Sequence, residues 1–192
     1  MRRRLAGADR QLVSAHDTKY LTILQEKFMH DRRSLIPLIE RLKRRGEMVE
    51  VGSLAGFSTK LFASYFERVT SIDPYAAGYD DGHDKNSDNV RLALARDLFT
   101  VRFIDEPRVV QHREPSAAGC RRFEDRSLDF VYLDGSHTYE AVRDDIRYWQ
   151  SKVRSGGAIA GDDYTWEGVE RAVREAYPEH ELVEGRWLVL VP

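Results

Sequence analysis

The sequence predicts an α/β fold: a doubly wound, mostly parallel sheet of seven strands, helices on both faces, and an antiparallel hairpin at its C-terminal edge. Three observations predict it. Short β-type apolar runs alternate with helical stripes, and single-helix crossovers between strands require parallel pairing. Several runs break at Gly or Asp, as strands do where a parallel sheet opens onto its ligand edge. The last two strands are separated by little more than Gly185, so they pair as a hairpin.

The elements follow in order. Residues 1–46 form an N-terminal helical segment, with stripes at Tyr20, Leu21, Ile23, Leu24 and Phe28, then at Leu35, Leu38, Ile39 and Leu42, and a stop at Gly46. Residues 47–192 form the sheet domain. Met48–Gly52 is its first strand, followed by a helix from about Ser58 that carries Leu61, Phe62, Tyr65 and Phe66. Val69–Asp73 is the second strand, and a polar loop over 74–87 leads to a helix marked by Val90, Leu94, Leu98 and Phe99. Val109–His112 is a weak third strand and Leu128–Leu133 the clearest buried one. Tyr139, Val142, Ile146, Trp149 and Val153 fall at steps of three and four, one helical stripe. Gly157–Gly161, a helix over 167–177 and the run 187–191 complete the domain.

Composition narrows the class. The 192 residues carry 30 Lys+Arg and 32 Asp+Glu, a net charge of −2, with 42% hydrophobic residues, as in an ordinary globular domain. Residues 1–46 hold an excess of +7, and the remainder −9. The basic clusters Arg2–Arg4 and Arg41–Arg45 lack interleaved aromatics, so they read as solvated helix faces rather than a nucleic-acid site. The lone Cys120, read as a core thiol, excludes an internal disulfide and fits a reducing, cytoplasmic setting. No apolar run reaches the ~18–20 residues of a membrane span. Zinc-spaced Cys/His clusters, a Walker glycine loop and a nucleophile elbow are all missing, and Asp80, Asp81, Asp84 and Asp88 do not match a calcium loop.

The chemistry is expected where strands end. Gly52, Asp73, Asp134 and Asp162 each close a strand and should line one edge. In Glu50–Thr59 the spacing is G-x-x-x-G, without the middle glycine of dinucleotide binders, and its amides suit a ligand ending in a carboxylate. Asp73 lies 21 residues beyond Gly52, near the ~20 at which an acid meets ribose hydroxyls. Asp134, Asp162 and Asp163 converge on adjacent strands ~4.8 Å apart, where a divalent cation such as Mg²⁺ would offset their repulsion. His137, three residues beyond Asp134, could take a hydroxyl proton as general base.

These residues resemble class I S-adenosylmethionine-dependent methyltransferases, whose sheet is Rossmann-like. The E-V-G-S-x-x-G-x-S-T turn at 50–59 resembles the first family motif and Ile72-Asp73-Pro74-Tyr75 the second. Ser127–Tyr139, with Asp134-Gly135-Ser136-His137, is similar to the metal-dependent macrocin and mycinamicin sugar O-methyltransferases. The resemblance implies that Glu50, Gly52, Ser53, Gly56 and Ser58 cradle the methionine part of S-adenosylmethionine, with Asp134 facing the same cofactor. Asp73 would hold ribose and Ser116 would contact adenine. It also implies Asp134, Asp162 and Asp163 as Mg²⁺ ligands and His137 as base. The chain departs from that family at Glu114-Pro115, where a small-acidic pair usually precedes the serine, and it lacks the macrolide enzymes' large N-terminal domain and lid. The expected function is Mg²⁺-dependent O-methylation of a small hydroxylated acceptor, sugar-like or natural-product-like. A more open site, or a neighbouring subunit in a homo-oligomer, would compensate for the missing lid. The alternatives are a metal-independent N- or O-methyltransferase, a non-catalytic cofactor-binding protein of the same fold, and an RNA-binding methyltransferase. Against the last stands the lack of an aromatic base-holding motif.

Overall fold

The computed structural model describes residues 33–79 and 88–192. The stripe at 20–28, the cluster Arg2–Arg4 and the acids Asp80, Asp81 and Asp84 lie outside the described residues. Seven strands form one sheet in the order β3-β2-β1-β4-β5-β7-β6. They are β1 (Glu47–Val51), β2 (Arg68–Ile72), β3 (Val109–His112), β4 (Leu128–Leu133), β5 (Val153–Gly161), β6 (Glu181–Val183) and β7 (Arg186–Leu190). The first five pair in parallel, while β7 runs antiparallel to both β5 and β6. The doubly wound sheet with its C-terminal hairpin is therefore the observed fold. Glu184 and Gly185 both take positive φ, 50° and 82°, which gives the two-residue turn the twist a hairpin needs.

The helices are α1 (33–40), α2 (Phe57–Phe62), α3 (Asn89–Phe103), α4 (Ser116–Gly119), α5 (Tyr139–Trp149) and α6 (Glu167–Ala176). The side-chain period of two divides the core between the faces of the sheet. Met48, Phe130, Tyr132, Ala158 and Ala160 face one way, onto Leu35, Leu38 and Ile39 of α1 and Phe62 of α2. Val49, Val51, Val131, Leu133 and Ile159 face the other, onto Val142, Ile146 and Trp149 of α5 and Val169 and Val173 of α6. Burial on both faces explains why β4 reads as a continuous apolar run.

Two expectations shift. Val153 continues the helical spacing, but the helix gives way to a 3₁₀ turn at Gln150–Lys152 and Val153 opens β5, which is four residues longer than its apolar run suggests. In α3 the buried positions are Leu92, Ala95 and Phe99, whereas Val90 is exposed. Apolar residues recur there at too many spacings to single out one face. Asp88, one of the loop acids, caps α3 by accepting from the N–H groups of Val90 and Arg91.

Candidate active site

The carboxyl ends of β1, β2 and β4 open onto a cleft of about 370 Å³, the size of a small-ligand site. The turn after β1 passes close to the turn after β4. Gly52 has φ +83°, and a Cβ there would sit 1.9 Å from the carbonyl oxygen of Asp134, so no side chain fits. Gly52 and Leu54 line the cleft; Glu50, Ser53, Gly56 and Ser58 lie behind it. Glu50 is fully buried on the α2 face of the sheet, where its carboxylate accepts from the hydroxyls of Ser58 and Thr59. Ser53 accepts from Ser71 at 2.6 Å, and Gly56 packs on Phe99 and Phe103. These four build the turn.

Asp73 fixes the next wall. Its Oδ2 accepts from the N–H of Leu54 at 2.9 Å and its Oδ1 from that of Tyr75 at 2.8 Å, which joins the turn after β2 to the turn after β1. Burial raises its pKa against the lowering effect of these N–H donors. The residue lines the cleft, as a ribose-holding acid requires. The Tyr75 hydroxyl donates to the Leu54 carbonyl at 2.7 Å and accepts from Gln111, locking the same junction.

Ser116 opens α4 at the cleft wall. Its hydroxyl accepts from the Trp149 indole at 2.8 Å, and Asp145 of α5 lines the cleft beside it. Asp145 is a site residue that motif spacing does not single out. The signal it carries is its place four residues before Trp149 and four after Ala141, on the cleft face of the helix.

The other wall holds Asp134, His137, Asp163 and Trp166. His137 Nε2 lies 2.8 Å from Asp163 Oδ2, and its ring stacks on Trp166 with centroids 4.5 Å apart. Gly168 permits this, because a Cβ there would stand 2.5 Å from the His137 carbonyl oxygen as α6 crosses the start of α5. Asp163 takes φ +52°, an uncommon conformation that Asp tolerates and that turns its carboxylate into the cleft. One ligand atom from each of Asp134, His137 and Asp163 lies within 4.8 Å of the others, a spacing that a divalent cation could bridge.

Asp162, expected beside Asp134 and Asp163 as a ligand, is set apart. Its Oδ2 accepts from Arg186 Nη2 at 2.9 Å and its Oδ1 from the N–H of Asp163 at 2.8 Å. Arg186 is 2% exposed and also donates from Nε to the Tyr132 hydroxyl at 2.9 Å, so Asp162 serves as the counter-charge of a buried guanidinium. The set brought together replaces that carboxylate with an imidazole, a mixture less suited to Mg²⁺ than three oxygens.

Sheet order, ligand edge and cleft together define a doubly wound, Rossmann-like α/β fold. The model of one family, described as a methyltransferase domain, matches residues 49–164, and the chain belongs to that family, within the class I S-adenosylmethionine-dependent methyltransferases. No curated protein sequence matches it. Among solved structures, the O-methyltransferase NovP is 18% identical, with 86% of this chain and 79% of that one covered and a TM-score of 0.62. The calicheamicin methyltransferase CalS11 is 13% identical, with 93% and 80% covered and a TM-score of 0.59. Spermidine synthase from Thermotoga maritima is 14% identical, with 84% and 57% covered and a TM-score of 0.53. A synthase among them shows that such likeness carries the fold alone. S-adenosylmethionine fits the residues present: a turn in which Gly52 leaves the backbone bare, a buried acid for ribose, and a largely apolar cleft. Among the described residues no helix is long and apolar enough to cross a membrane.

Proposed function

We propose that the protein transfers a methyl group from S-adenosylmethionine to a hydroxyl of a small acceptor, sugar-like or natural-product-like. The observation that carries this reading is the His137–Asp163 pair, 2.8 Å apart, on the same cleft as Asp73 and Gly52. Bound cofactor would supply an electrophilic sulfonium methyl. The chain's part is to hold the acceptor oxygen in line with it and remove a proton. His137, oriented by Asp163 through Nε2, takes the hydroxyl proton as the acceptor oxygen's lone pair is directed at the methyl. The cofactor, held by the Gly52 turn and Asp73, would give up that methyl and keep the C–S electron pair on sulfur. Asp163 stabilises the imidazolium, and Trp166 keeps its ring from rotating away.

A second reading rests on the cluster itself. Asp134, His137 and Asp163 would hold a divalent cation, Mg²⁺ or one that accepts imidazole more readily, which would lower the pKa of a bound hydroxyl. In that case His137 is a ligand and the proton leaves to another acceptor. Calorimetric titration of S-adenosylhomocysteine, followed by turnover on hydroxylated acceptors with and without chelator, tests both. Base catalysis predicts one-to-one binding, chelator-insensitive turnover, and a His137→Ala variant that binds the cofactor product normally while losing about 10²–10⁴-fold in turnover. Turnover abolished by chelator and restored by added cation selects the cation reading. No binding under either condition rejects the methyltransferase assignment.

A further inference from the structure

Helix α3 is apolar on two opposite faces. One belongs to the core: Leu92, Ala95 and Phe99 are buried, and Phe99 and Phe103 pack on Gly56 in the turn after β1. The other faces solvent. Its Val90, Val101 and Ile104 are 74%, 73% and 76% exposed, the most exposed large apolar side chains among the described residues. Ile104 keeps helical dihedrals as the C-cap, so it extends the same face. With the half-buried Leu94 and with Asp97, these residues recur at steps of four, three, four and three, a single stripe along the helix. A surface helix needs one apolar stripe, for its own core, and a second one marks a surface that meets another body.

The spacing and the rim charges of this stripe fit a second copy of the same chain. Positions 90 and 104, and positions 94 and 101, share a midpoint to within half a residue. Two α3 helices crossing antiparallel at that midpoint set Val90 level with Ile104 of the second copy and Leu94 level with its Val101, each contact made twice by symmetry. The same register brings Arg91, near the N-terminal end, level with the exposed Asp105 just beyond the C-terminal end of the second copy. Asp97, the acid on the stripe, falls near the two-fold axis, where Arg96 Nη2 lies 2.9 Å from its carboxylate and offsets its charge. A parallel pairing would instead oppose Arg91 to Arg91 and Asp105 to Asp105.

We infer that the outer face of α3 is a self-association surface, on which two copies of this chain pair antiparallel about a two-fold axis near Asp97 and Leu98. The 15 residues of α3 make a strip about 22 Å long and about 10 Å wide, well below the ~800 Å² per partner of a standard interface, so the dimer forms reversibly.

The test is sedimentation equilibrium of the full chain from about 1 to 200 μM at low salt, where rim charges are least screened. Wild type should move from the 22.2 kDa of one chain toward twice that mass as concentration rises. Val101→Asp and Ile104→Asp, each present twice in a dimer, should weaken association by about tenfold or more without changing thermal unfolding of the dilute protein. Arg91→Glu and Asp105→Arg should each weaken it by about three- to tenfold, and the double variant should return to within about threefold of wild type. Within one chain these two residues lie about 21 Å apart along the helix, so the recovery reports contact between copies. A wild type that stays monomeric throughout overturns the inference; if Val101→Asp then also lowers its melting temperature, the stripe is covered by the chain's own residues 1–32 instead. A dimer that neither Val101→Asp nor Ile104→Asp weakens overturns it, because association then uses another surface. A folded double variant that recovers nothing overturns the antiparallel pairing.

Discussion

Replacing Asp162 by Ala separates a structural acid from a metal ligand. Arg186 is 2% exposed and donates to Asp162 and to the Tyr132 hydroxyl. Removing Asp162 takes a carboxylate partner from a buried guanidinium, and breaking a buried pair in this way costs about 3–5 kcal/mol. For a domain of this size each kcal/mol moves Tm by roughly 2–4 °C, so Asp162→Ala should melt about 6–20 °C below wild type. Substituting Met for Arg186 in the same chain removes the stranded charge. The double variant should regain most of the loss, short of about 1–3 kcal/mol for the Tyr132 hydroxyl left without its donor. Urea unfolding of wild type, both single variants and the double variant gives the coupling energy directly. Mn²⁺ titration of the same proteins should give affinities for folded Asp162→Ala within about twofold of wild type. A destabilisation below ~1 kcal/mol, or a tenfold loss of cation affinity that Arg186→Met does not reproduce, would refute the assignment of Asp162 to Arg186.

Two further outcomes follow from the cleft. Gly52→Ala forces a Cβ to within 1.9 Å of a backbone oxygen at φ +83°, so the turns after β1 and β4 must separate. S-adenosylhomocysteine affinity should fall at least tenfold even where the variant folds, and wild-type affinity would contradict the close approach. Asp145 has a native pKa of about 6 against 3.8 unfolded, so the folded state holds its proton more tightly. Its favourable contribution is complete below pH ~4 and lost as pH rises through 6. That amounts to at most about 3 kcal/mol, an upper bound because the residue is only half-buried. The stability of Asp145→Asn relative to wild type should therefore rise between pH 4 and 7 in urea unfolding, and a flat difference would show that the carboxyl is not desolvated.

The strand order and the ligand edge were legible because they rest on local pattern. Leu128–Leu133 could only be a strand buried on both faces, and Gly52, Asp73 and Asp134 each stand one residue past a strand. What escaped depends on partners distant in sequence. Whether Asp162 or Asp163 enters the cleft is decided by Arg186, on the antiparallel neighbour β7, and by the positive φ at Asp163. Neither leaves a trace in the local sequence. Glu50 escaped for a different reason. It belongs to the first motif, yet strand alternation places it on the side of Met48, under α2, where Ser58 and Thr59 occupy it. The sequence does carry that signal, because the period of two that turns Met48 toward α2 turns Glu50 the same way.

The acids of this sheet can be sorted by what already satisfies them. Asp129 accepts from the N–H groups of Gly46 and Glu47 with one oxygen and tethers the start of β4 to the start of β1. Glu50 is matched by two hydroxyls and Asp162 by a guanidinium, so each is committed within the fold. Asp73, Asp134, Asp145 and Asp163 instead line the cleft. Asp73 is met by backbone N–H groups, and among the described residues no ion pair of Asp73 or Asp145 with a lysine or arginine is present. Buried or half-buried carboxyls without a cationic partner are costly to the fold. Asp73 and Asp145 share one cleft with the Asp163–His137 pair, and such a place is intelligible if ligand donors complete them, as the proposed reading supplies in the ribose hydroxyls at Asp73. The proposed reading thus gives the buried Asp73 a chemical counterpart, which motif matching alone does not do.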